Sequence, residues 1–434
     1  MRVVRQRRTR TIAWVTTLVV LQGISSAAAT LLAAAATPVA AASPAAKPAV
    51  STSPVELGRY LAIAGNCATC HTAPGGAAYA GGLAFETPFG KIHSTNITPD
   101  KQTGIGNWTV AQFTQALRSG ERANGDHLYP VFPYTSFTKI TDTDATALFA
   151  YLKTLAPINA KAPENEMSWP YSMRSLMSVW NAMFFDAGAF QKDASKSAEW
   201  NRGAYLVQGL GHCSACHSPR NFLGGEKSSL AMTGGTYNDQ VATGELRPWA
   251  APNLTGAPNG LAGWPVAEIV SYLKTGKNAY AASFGPMNEV IMNSTRHLTD
   301  SDLRAMAVYL KSLSANEGEL NGPAKQDVLN AGASLYDLHC GTCHQPSGLG
   351  AADSGPRLAG SLIVQASDPA SLINVILHGP QLPEPPPPTG EWQHMEAFGE
   401  KLSDEEIAAL TSYLRSAWNN KGGEVTAEQV ARQR

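Results

Sequence analysis

Three stretches of this chain carry apolar residues at helical spacing, and each begins with a residue pattern that starts a helix. The patterns Thr141-x-x-Asp144, Thr299-x-x-Asp302 and Ser403-x-x-Glu406 have the form of capping boxes. The apolar residues that follow recur at intervals of three or four; they are Leu148, Phe149, Leu152 and Leu155, then Leu303, Met306, Leu310 and Leu313, then Ile407, Leu410 and Leu414. The pattern predicts three helices with one buried face, each at the end of a repeated unit.

A second helix is predicted at the start of each unit. Its mark is a glycine followed by an aromatic residue, in Gly58-Arg59-Tyr60-Leu61, Gly203-Ala204-Tyr205-Leu206 and Gly332-Ala333-Ser334-Leu335-Tyr336. Because glycine allows a close approach of two backbones, we expect each opening helix to cross its closing helix there. The residues between the two helices are rich in Gly and Pro and have little periodicity, which indicates loops. The predicted fold class is all-α.

All six cysteines fall into three copies of Cys-x-x-Cys-His, namely Cys67–Cys70–His71, Cys213–Cys216–His217 and Cys340–Cys343–His344. This spacing is the attachment signature of c-type haem, in which two thiols bond the porphyrin and the adjacent histidine binds the iron. Zinc sites usually combine two Cys-x-x-Cys units per ion, and three widely separated units cannot be shared evenly. We therefore expect three haem c groups, with His71, His217 and His344 as proximal iron ligands.

The opposite side of each iron needs a second ligand, and methionine or histidine is expected in the loop before the closing helix. Met287, which follows Gly285-Pro286, takes that position in the second unit, with Met292 as the alternative. Met395 takes it in the third unit, where it is the only methionine. The prediction is therefore a histidine–methionine pair at the second and third irons.

The first unit departs from this pattern because Phe132, which cannot bind iron, stands in the matching place. His127, His93 and Met173 are the candidates to replace it, and a five-coordinate iron is the fourth alternative. The remaining histidines are expected to lie at surfaces or near the haem propionates: His212, His297, His339, His378 and His394.

An opening and a closing helix that cross with a haem between them make up the cytochrome c fold. We expect three tandem domains of this kind, at 55–158, 200–315 and 327–420. The segments 43–54, 159–199 and 316–326 are predicted as linkers, the first of them disordered, and 421–434 as a polar tail. The aromatic stretch from Trp169 to Phe185 is expected to be helical, and the prolines from Pro383 to Pro388 predict an exposed polyproline segment.

Residues 1–42 predict a signal peptide that directs export and is removed from the mature chain. A basic stretch from Arg2 to Arg10 precedes an apolar run from Ile12 to Ile24 and an Ala-rich end; an uncleaved anchor is the alternative. The predicted signal peptide contains five arginines and no acidic residue, so its removal changes the formal net charge from −1 to −6. Because a nucleic-acid-binding protein usually carries a basic surface, the chain is not expected to bind nucleic acid. Since no other apolar run could span a bilayer, contact with the cytoplasmic membrane is expected to be peripheral.

Several stretches resemble the three-haem cytochrome c subunits of membrane-associated bacterial dehydrogenases. They cover nearly all of the expected mature chain and include Thr87-Pro88-Phe89-Gly90, Ser94-Thr95-Asn96-Ile97, His127-Leu128-Tyr129-Pro130, Trp200-Asn201-Arg202-Gly203, Gly285-Pro286-Met287 and Met395-x-Ala397-Phe398. The resemblance implies a subunit at the periplasmic face of the cytoplasmic membrane. Such a subunit takes electrons from a catalytic dehydrogenase subunit and passes them to ubiquinone.

The catalytic partners in that family are quinoprotein alcohol dehydrogenases, flavoprotein gluconate, sorbitol or fructose dehydrogenases, and molybdenum hydroxylases that act on aldehydes or N-heterocycles. The alcohol and gluconate branches carry methionine where this chain has Phe132. The resemblance therefore favours an aldehyde-type molybdenum hydroxylase, which would bring a small iron–sulfur subunit with it. A multihaem enzyme, either a peroxidase or a sulfur-compound oxidase, is the alternative of another class, and a subunit of a haem–copper oxidase is a further one.

Overall fold

The structure is a computed structural model, and it describes residues 53–240, 246–380 and 392–434. Most of its regular structure is helical. In chain order the helices are α1 (Pro54–Ala64), α2 (Cys67–Cys70), α3 (Val110–Ser119), α4 (Tyr134–Phe137), α5 (Asp142–Leu152), α6 (Leu176–Phe184), α7 (Ala198–Tyr205), α8 (Ser214–His217), α9 (Val266–Thr275), α10 (Pro286–Asn293), α11 (Asp300–Lys311), α12 (Gln326–His339), α13 (Gly341–His344), α14 (Ala370–His378), α15 (Asp404–Ser416) and α16 (Ala427–Ala431). The signal peptide, most of the first linker and the polyproline run lie outside the described residues.

Helices α1, α7 and α12 open the three repeats, and each crosses the closing helix α5, α11 or α15. The crossing points are the expected glycines. A Cβ atom added at Gly58, Gly203 or Gly332 would collide with the backbone carbonyl of the closing helix, which belongs in turn to Ala147, Ala305 and Ala409. The expected close crossing is therefore confirmed in all three repeats.

The N-termini of the closing helices differ from the prediction in one respect. Ser403 and Glu406 form a complete capping box at α15. At α5 and α11 the threonine side chain accepts the N–H of the third residue, but no return bond from the aspartate is formed. Asp is one methylene shorter than Glu, and the carboxylates of Asp144 and Asp302 bind tyrosines from another repeat instead.

Short strands add to the helices and were not part of the all-α prediction. In the described part of the chain, β1 (Ala84–Thr87), β2 (Gly90–His93) and β3 (Glu166–Met167) form one antiparallel sheet. A hairpin of β4 (Gly235–Gln240) and β5 (Leu246–Ala251) forms another. Strands β1, β2, β4 and β5 follow a Cys-x-x-Cys-His motif and belong to the loops that were expected to lack regular structure, whereas β3 comes from the segment 159–199.

Two large apolar clusters organise the described residues. The N-terminal core joins α1 and α5 to α7 and α11 and includes Leu61, Leu148, Leu206 and Leu303. The C-terminal core lies within the third repeat and includes Tyr336, Ile373, Ile407 and Leu410. The first two repeats thus share one core, to which Leu362 of the third repeat also belongs, whereas most buried apolar residues of the third repeat form a core of their own.

The segment 159–199, predicted as a linker, is folded onto the first repeat. Strand β3 pairs with β2, and helix α6 lies within the aromatic stretch that was expected to be helical. The Tyr134 hydroxyl donates to Asn181 at 2.6 Å, and the Tyr129 hydroxyl donates to the Tyr171 carbonyl at 3.0 Å. The linker therefore covers one side of the first repeat.

The last residues, 421–434, differ from the predicted polar tail because two of their valines are buried. Val425 and Val430 belong to the C-terminal core, and Arg434 pairs with Asp404 at 2.7 Å. The alternation of small apolar and polar residues in this segment gave too weak a periodicity to indicate packing. Over the described ranges, no helix is long and apolar enough to cross a bilayer.

Candidate haem sites

Each Cys-x-x-Cys-His motif forms one helical turn that follows an opening helix; at the second motif a π-helical segment, Leu206–Leu210, lies between α7 and the motif. The backbone N–H groups of His71, His217 and His344 donate to the carbonyls of the first cysteine of their motifs, at 3.0, 2.9 and 2.9 Å. One helical turn places residues i and i+4 on the same face, so the first cysteine and the histidine point the same way. This is the local geometry that a covalently attached porphyrin requires.

The three motif histidines share one further contact. Their Nδ1 atoms lie 2.6, 2.8 and 2.8 Å from the backbone carbonyl oxygens of Thr95, Pro252 and Pro356. A carbonyl oxygen only accepts, so Nδ1 carries the proton and Nε2 keeps its lone pair. Burial lowers the pKa of each of these imidazoles, which favours the neutral form that binds a metal.

The motif cysteines are half-buried and form no disulfide in the described structure. Burial raises the pKa of the Cys67, Cys213 and Cys340 thiols to about 12, and that of Cys70 and Cys216 to about 11.

A cavity of about 2260 Å³ brings the first two motifs together. Cys67, Cys70 and His71 line it, and Cys216 of the second motif reaches the same space. Its inner wall is apolar, with Phe113, Leu117, Phe137, Ile140, Leu148 and Leu152 among the lining residues. A large apolar space beside a histidine with a free Nε2 fits a porphyrin.

The two predicted methionines each pack against an apolar cluster that also contains a cysteine of the corresponding motif. Met287, in the first turn of α10, packs against the core that also holds Cys213. Met395 packs against the core that holds Cys340. The alternative Met292 lies on the wall of the first cavity, where its Sδ accepts from Arg296 at 3.0 Å. The same cavity includes Cys216 of the second motif, so Met287 and Met292 both stay candidates at the second iron, and Met395 stays the prediction at the third.

At the first motif, the candidates for the sixth iron ligand lie in different places. Phe132 packs against the N-terminal core with its ring centre 5.3 Å from that of Phe137. Met173 and His93 line the cavity, whereas His127 is not among the described lining residues. The Nε2 atom of His127 lies 3.3 Å from the Ser178 hydroxyl. The structure thus brings two of the three candidates to the cavity and leaves the sixth ligand a prediction.

Comparison with known proteins identifies the family. The cytochrome c family matches residues 55–156, 201–314 and 329–418, once for each motif. The chain belongs to the cytochrome c family. Membership implies haem c as the cofactor, and the carbonyl-bound imidazoles and the apolar cavity fit that group.

The relatives of this cytochrome show to which group within the cytochrome c family it belongs. It is 37% identical over 409 residues to the fructose dehydrogenase cytochrome subunit of Gluconobacter japonicus, covering 87% of this chain and 82% of that one. It is 38% identical over 398 residues to the gluconate 2-dehydrogenase cytochrome c subunit of Pantoea cypripedii, covering 87% and 88%. The chain therefore belongs to the cytochrome subunits of dehydrogenases, as the sequence motifs predicted.

A third relative is much longer than this cytochrome. It is a nicotinate dehydrogenase subunit of Pseudomonas putida, 43% identical over 406 residues, which cover 91% of this chain but 33% of that protein. The chain thus spans about a third of this relative and more than four fifths of the other two.

The sequence did not reveal how the first two repeats of the cytochrome are joined. The Tyr60 hydroxyl donates to Asp302 Oδ2 at 2.7 Å, and the Tyr205 hydroxyl donates to Asp144 Oδ2 at 2.5 Å. Each opening helix thereby reaches the start of the other repeat's closing helix. The available signal was a tyrosine two positions after Gly58 and Gly203, where the third repeat has Ser334.

Two further residues of the cytochrome line the first cavity. His212, which was expected at a surface or near a propionate, lies in its wall with its ring centre 5.5 Å from that of Phe137, and burial lowers its pKa; the propionate contact stays a prediction. Met177, which was not predicted as a site residue, is buried and lines the same cavity. Met177 lies on the buried side of α6, and its position in the helical repeat was the signal that could have identified it.

Proposed function

We propose that this cytochrome carries electrons from the catalytic subunit of an exported dehydrogenase to ubiquinone through three covalently attached haems. One observation carries the proposal: three Cys-x-x-Cys-His turns each hold a buried histidine by its Nδ1 and leave Nε2 to bind iron. The dehydrogenase cytochrome subunits among its relatives support the role.

The chain's own residues would hold and tune the cofactor. The six motif cysteines attach the porphyrins, and the motif histidines bind the irons. Met287 and Met395 would bind the second and third irons, and Met173, His93 or His127 would bind the first unless that iron is five-coordinate. Haem c supplies a one-electron iron couple when bound. The apolar walls would exclude water, which together with the axial ligand sets the potential.

The partner we favour is a molybdenum-hydroxylase dehydrogenase with a small iron–sulfur subunit, acting on an aldehyde or an N-heterocycle. Phe132, which stands where the alcohol and gluconate branches have methionine, supports that branch. A relative named for nicotinate, an N-heterocyclic acid, supports it as well. A quinoprotein alcohol dehydrogenase or a flavoprotein sugar dehydrogenase is the second candidate, because relatives are named as cytochrome subunits of a fructose dehydrogenase and of an alcohol dehydrogenase (quinone).

The test is purification of the cytochrome from its own host through an affinity tag, followed by haem assay and identification of co-purifying chains. Three haems per chain are expected, together with a large catalytic subunit whose substrate reduces the haems. A matched Cys340→Ala/Cys343→Ala variant should contain two haems. A colourless chain, or a cytochrome that purifies alone and oxidises a substrate unaided, would refute the proposal.

The alternative of a multihaem enzyme rests on Phe132 as well. Phe132 cannot bind iron, and an iron without a sixth ligand could bind a substrate. Carbon monoxide added to the reduced protein separates the two functions. Rapid binding at one haem together with peroxidase or sulfur-oxidising turnover would favour the enzyme. Absence of binding would favour electron transfer through six-coordinate irons.

A further inference from the structure

The haem-attachment turns of the first two repeats border one space within the large cavity. The residues that border it belong to the two turns and to strand β4; they are Thr69, Cys70, Ala215, Cys216 and Tyr237. We refer to the space between Cys70 and Cys216, together with these residues, as the inter-motif gap. No residue of the third motif is among the described residues that line this cavity.

Hydrogen bonds between the repeats hold the first turn at this gap. Asn293, the last residue of α10, donates to the Thr69 hydroxyl at 2.9 Å, and that hydroxyl donates to Asn66 Oδ1 at 2.6 Å. The Ser294 hydroxyl donates to the Ala64 carbonyl at 3.2 Å. The end of a helix of the second repeat is therefore bound both to the first attachment turn and to the end of α1.

The chain also packs closely just before the two motifs. Gly65 lies two residues before Cys67, and Leu210 lies three residues before Cys213. A Cβ atom added at Gly65 would lie 3.2 Å from a methyl carbon of Leu210, so the two segments are in contact. Since each segment leads directly into its motif, this contact places the first and second attachment turns side by side.

The direction of strand β4 brings the Tyr237 ring into the gap. Gly235 lies against the second turn, because a Cβ atom added there would collide with the Cys216 carbonyl. Alternate residues of a strand face the same side, so Tyr237 faces the same turn as Gly235. Burial raises the pKa of Tyr237 most, and Cys216 and Cys70 raise it further. Because a Coulomb interaction weakens with distance, the Tyr237 hydroxyl lies near the sulfur atoms of both motifs.

The position of Tyr237 matters because both neighbouring cysteines are haem-attachment points. Cys70 and Cys216 are the second cysteines of their motifs, and a thioether bond would fix one porphyrin edge at each of them. An aromatic ring between two such edges fills the space with a π-system, whereas an aliphatic side chain has none. Among the residues of the inter-motif gap, Tyr237 alone carries an aromatic ring.

We propose that Tyr237 bridges the first and second haems, so that these two exchange electrons directly across the inter-motif gap. The inference rests on the proposed function and deepens it by naming the residue that serves one of its steps. In that step a ferrous iron at one motif loses one electron, and a ferric iron at the other motif gains it. Tyr237 keeps its proton and is neither oxidised nor reduced.

The test follows electron exchange within the purified three-haem cytochrome after a short pulse of reducing radicals. The unaltered protein should show a fast phase of haem absorbance change whose rate is independent of protein concentration. This phase should persist in the Cys340→Ala/Cys343→Ala variant, in which only the first and second haems remain. Tyr237→Leu should slow it several-fold, and Tyr237→Phe should restore it because phenylalanine keeps the ring.

The matched control is Tyr280→Leu. Tyr280 is a half-buried tyrosine of the same repeat, as Tyr237 is, but it is not among the described residues that line the cavity. Its replacement should leave the rate of the fast phase unchanged. Equal slowing in Tyr237→Leu and Tyr280→Leu would overturn the inference, because the effect would then come from general repacking of the repeat.

Electron paramagnetic resonance of the oxidised protein separates a bridging role from a structural one. The first and second irons should shorten each other's spin relaxation times, and Tyr237→Leu should leave this effect unchanged because the two turns keep their positions. Slower exchange with unchanged relaxation supports the bridge. An unchanged exchange rate in Tyr237→Leu, or relaxation that changes along with the rate, overturns it.

Reduction of the haems by the substrate of the co-purified catalytic subunit distinguishes this inference from the proposed function. Normal exchange between the first two haems, in a complex whose substrate reduces none of them, would count against the proposed function alone. Reduction by the substrate, with an exchange rate that does not depend on Tyr237, would count against the bridge alone.

Discussion

Asp302 joins three helices through one carboxylate. Its Oδ2 accepts from the Tyr60 hydroxyl and from Arg202 Nη2, both at 2.7 Å, and its Oδ1 accepts from Arg202 Nε at 2.8 Å. Burial alone would raise the pKa of Asp302, but the hydrogen bonds and charge of Arg202 outweigh it and lower the pKa. Such a carboxylate stabilises the fold above its unfolded pKa, about 3.9, and that contribution is lost as the pH falls through the lower folded value.

Replacing Asp302 with asparagine should lower the free energy of unfolding by about 2 kcal/mol at neutral pH, because Arg202 keeps a half-buried charge without its partner. The difference between the two proteins should shrink as the pH falls through the folded pKa of Asp302. Urea unfolding at a series of pH values measures both effects.

The matched control is Asp142→Asn, which removes the carboxylate that lies 2.6 Å from Arg118 and whose side chain is 85% exposed. The Asp142→Asn variant should lose less than about 1 kcal/mol of its free energy of unfolding, as is found for most exposed ion pairs. Equal losses in the two variants would contradict the role of Asp302.

Met287 offers a test of a single ligand assignment. Its replacement with histidine should lower one midpoint potential on the order of 0.1 V, because methionine ligation raises the potential and axial ligands span about 0.8 V. Spectroelectrochemical titration resolves the change. Met292→Leu should leave all midpoints in place, since the Met292 sulfur accepts from Arg296; a shift there with none at Met287 would reverse the assignment.

At the scale of elements, the three helix crossings depend on residues that lack a side chain. The backbone of α11 lies where a Cβ of Gly203 would be, and the same holds for α5 at Gly58 and α15 at Gly332. A helical glycine otherwise destabilises a helix by up to about 1 kcal/mol relative to alanine, so these positions retain it for the crossing.

Gly203→Ala should therefore destabilise the second repeat by about 3 kcal/mol, because the two helices must separate. Thermal unfolding followed by circular dichroism measures the loss. Gly263→Ala is the matched control in the same repeat, where an added Cβ meets nothing within 4 Å. An equal change of stability in both variants would show that the effect of Gly203→Ala comes from backbone entropy rather than from the helix crossing.

At the scale of the whole molecule, the two cores divide the described chain unequally. The N-terminal core joins the first two repeats, and the third repeat surrounds its own. Polar contacts connect them: the Ser371 hydroxyl pairs with the N–H and the carbonyl of Ala250, and Asn374 donates to the Pro248 carbonyl. Arg415, fully buried, donates to carbonyls within the third repeat, and burial lowers its pKa to about 10.

Calorimetry of the haem-loaded protein should accordingly show two transitions, a larger one for the first two repeats and a smaller one for the third. Arg415→Leu should lower the free energy of unfolding of the third repeat alone, by about 3–5 kcal/mol, because the substitution leaves buried carbonyls unpaired. Arg432→Leu, at an exposed position, should change neither. A single cooperative transition that both variants shift equally would contradict the division.

The sequence predicted what depends on local pattern. The motif turns, the closing helices and the glycine crossings all follow from spacing within a few residues. It failed where a contact joins distant residues, as between Tyr205 and Asp144 or in the packing of Val425 and Val430. The first haem's sixth ligand stayed open for the same reason, because Met173 reaches the cavity from a segment that local rules describe only as a linker.

The exchange of tyrosines has a consequence for maturation. Closing helix α5 receives its last capping contact from Tyr205, a residue that is synthesised and would be exported well after the first Cys-x-x-Cys-His turn. The first repeat therefore cannot complete its packing before the second has arrived. The pair of repeats, rather than either one, is thus the smallest piece that can finish folding.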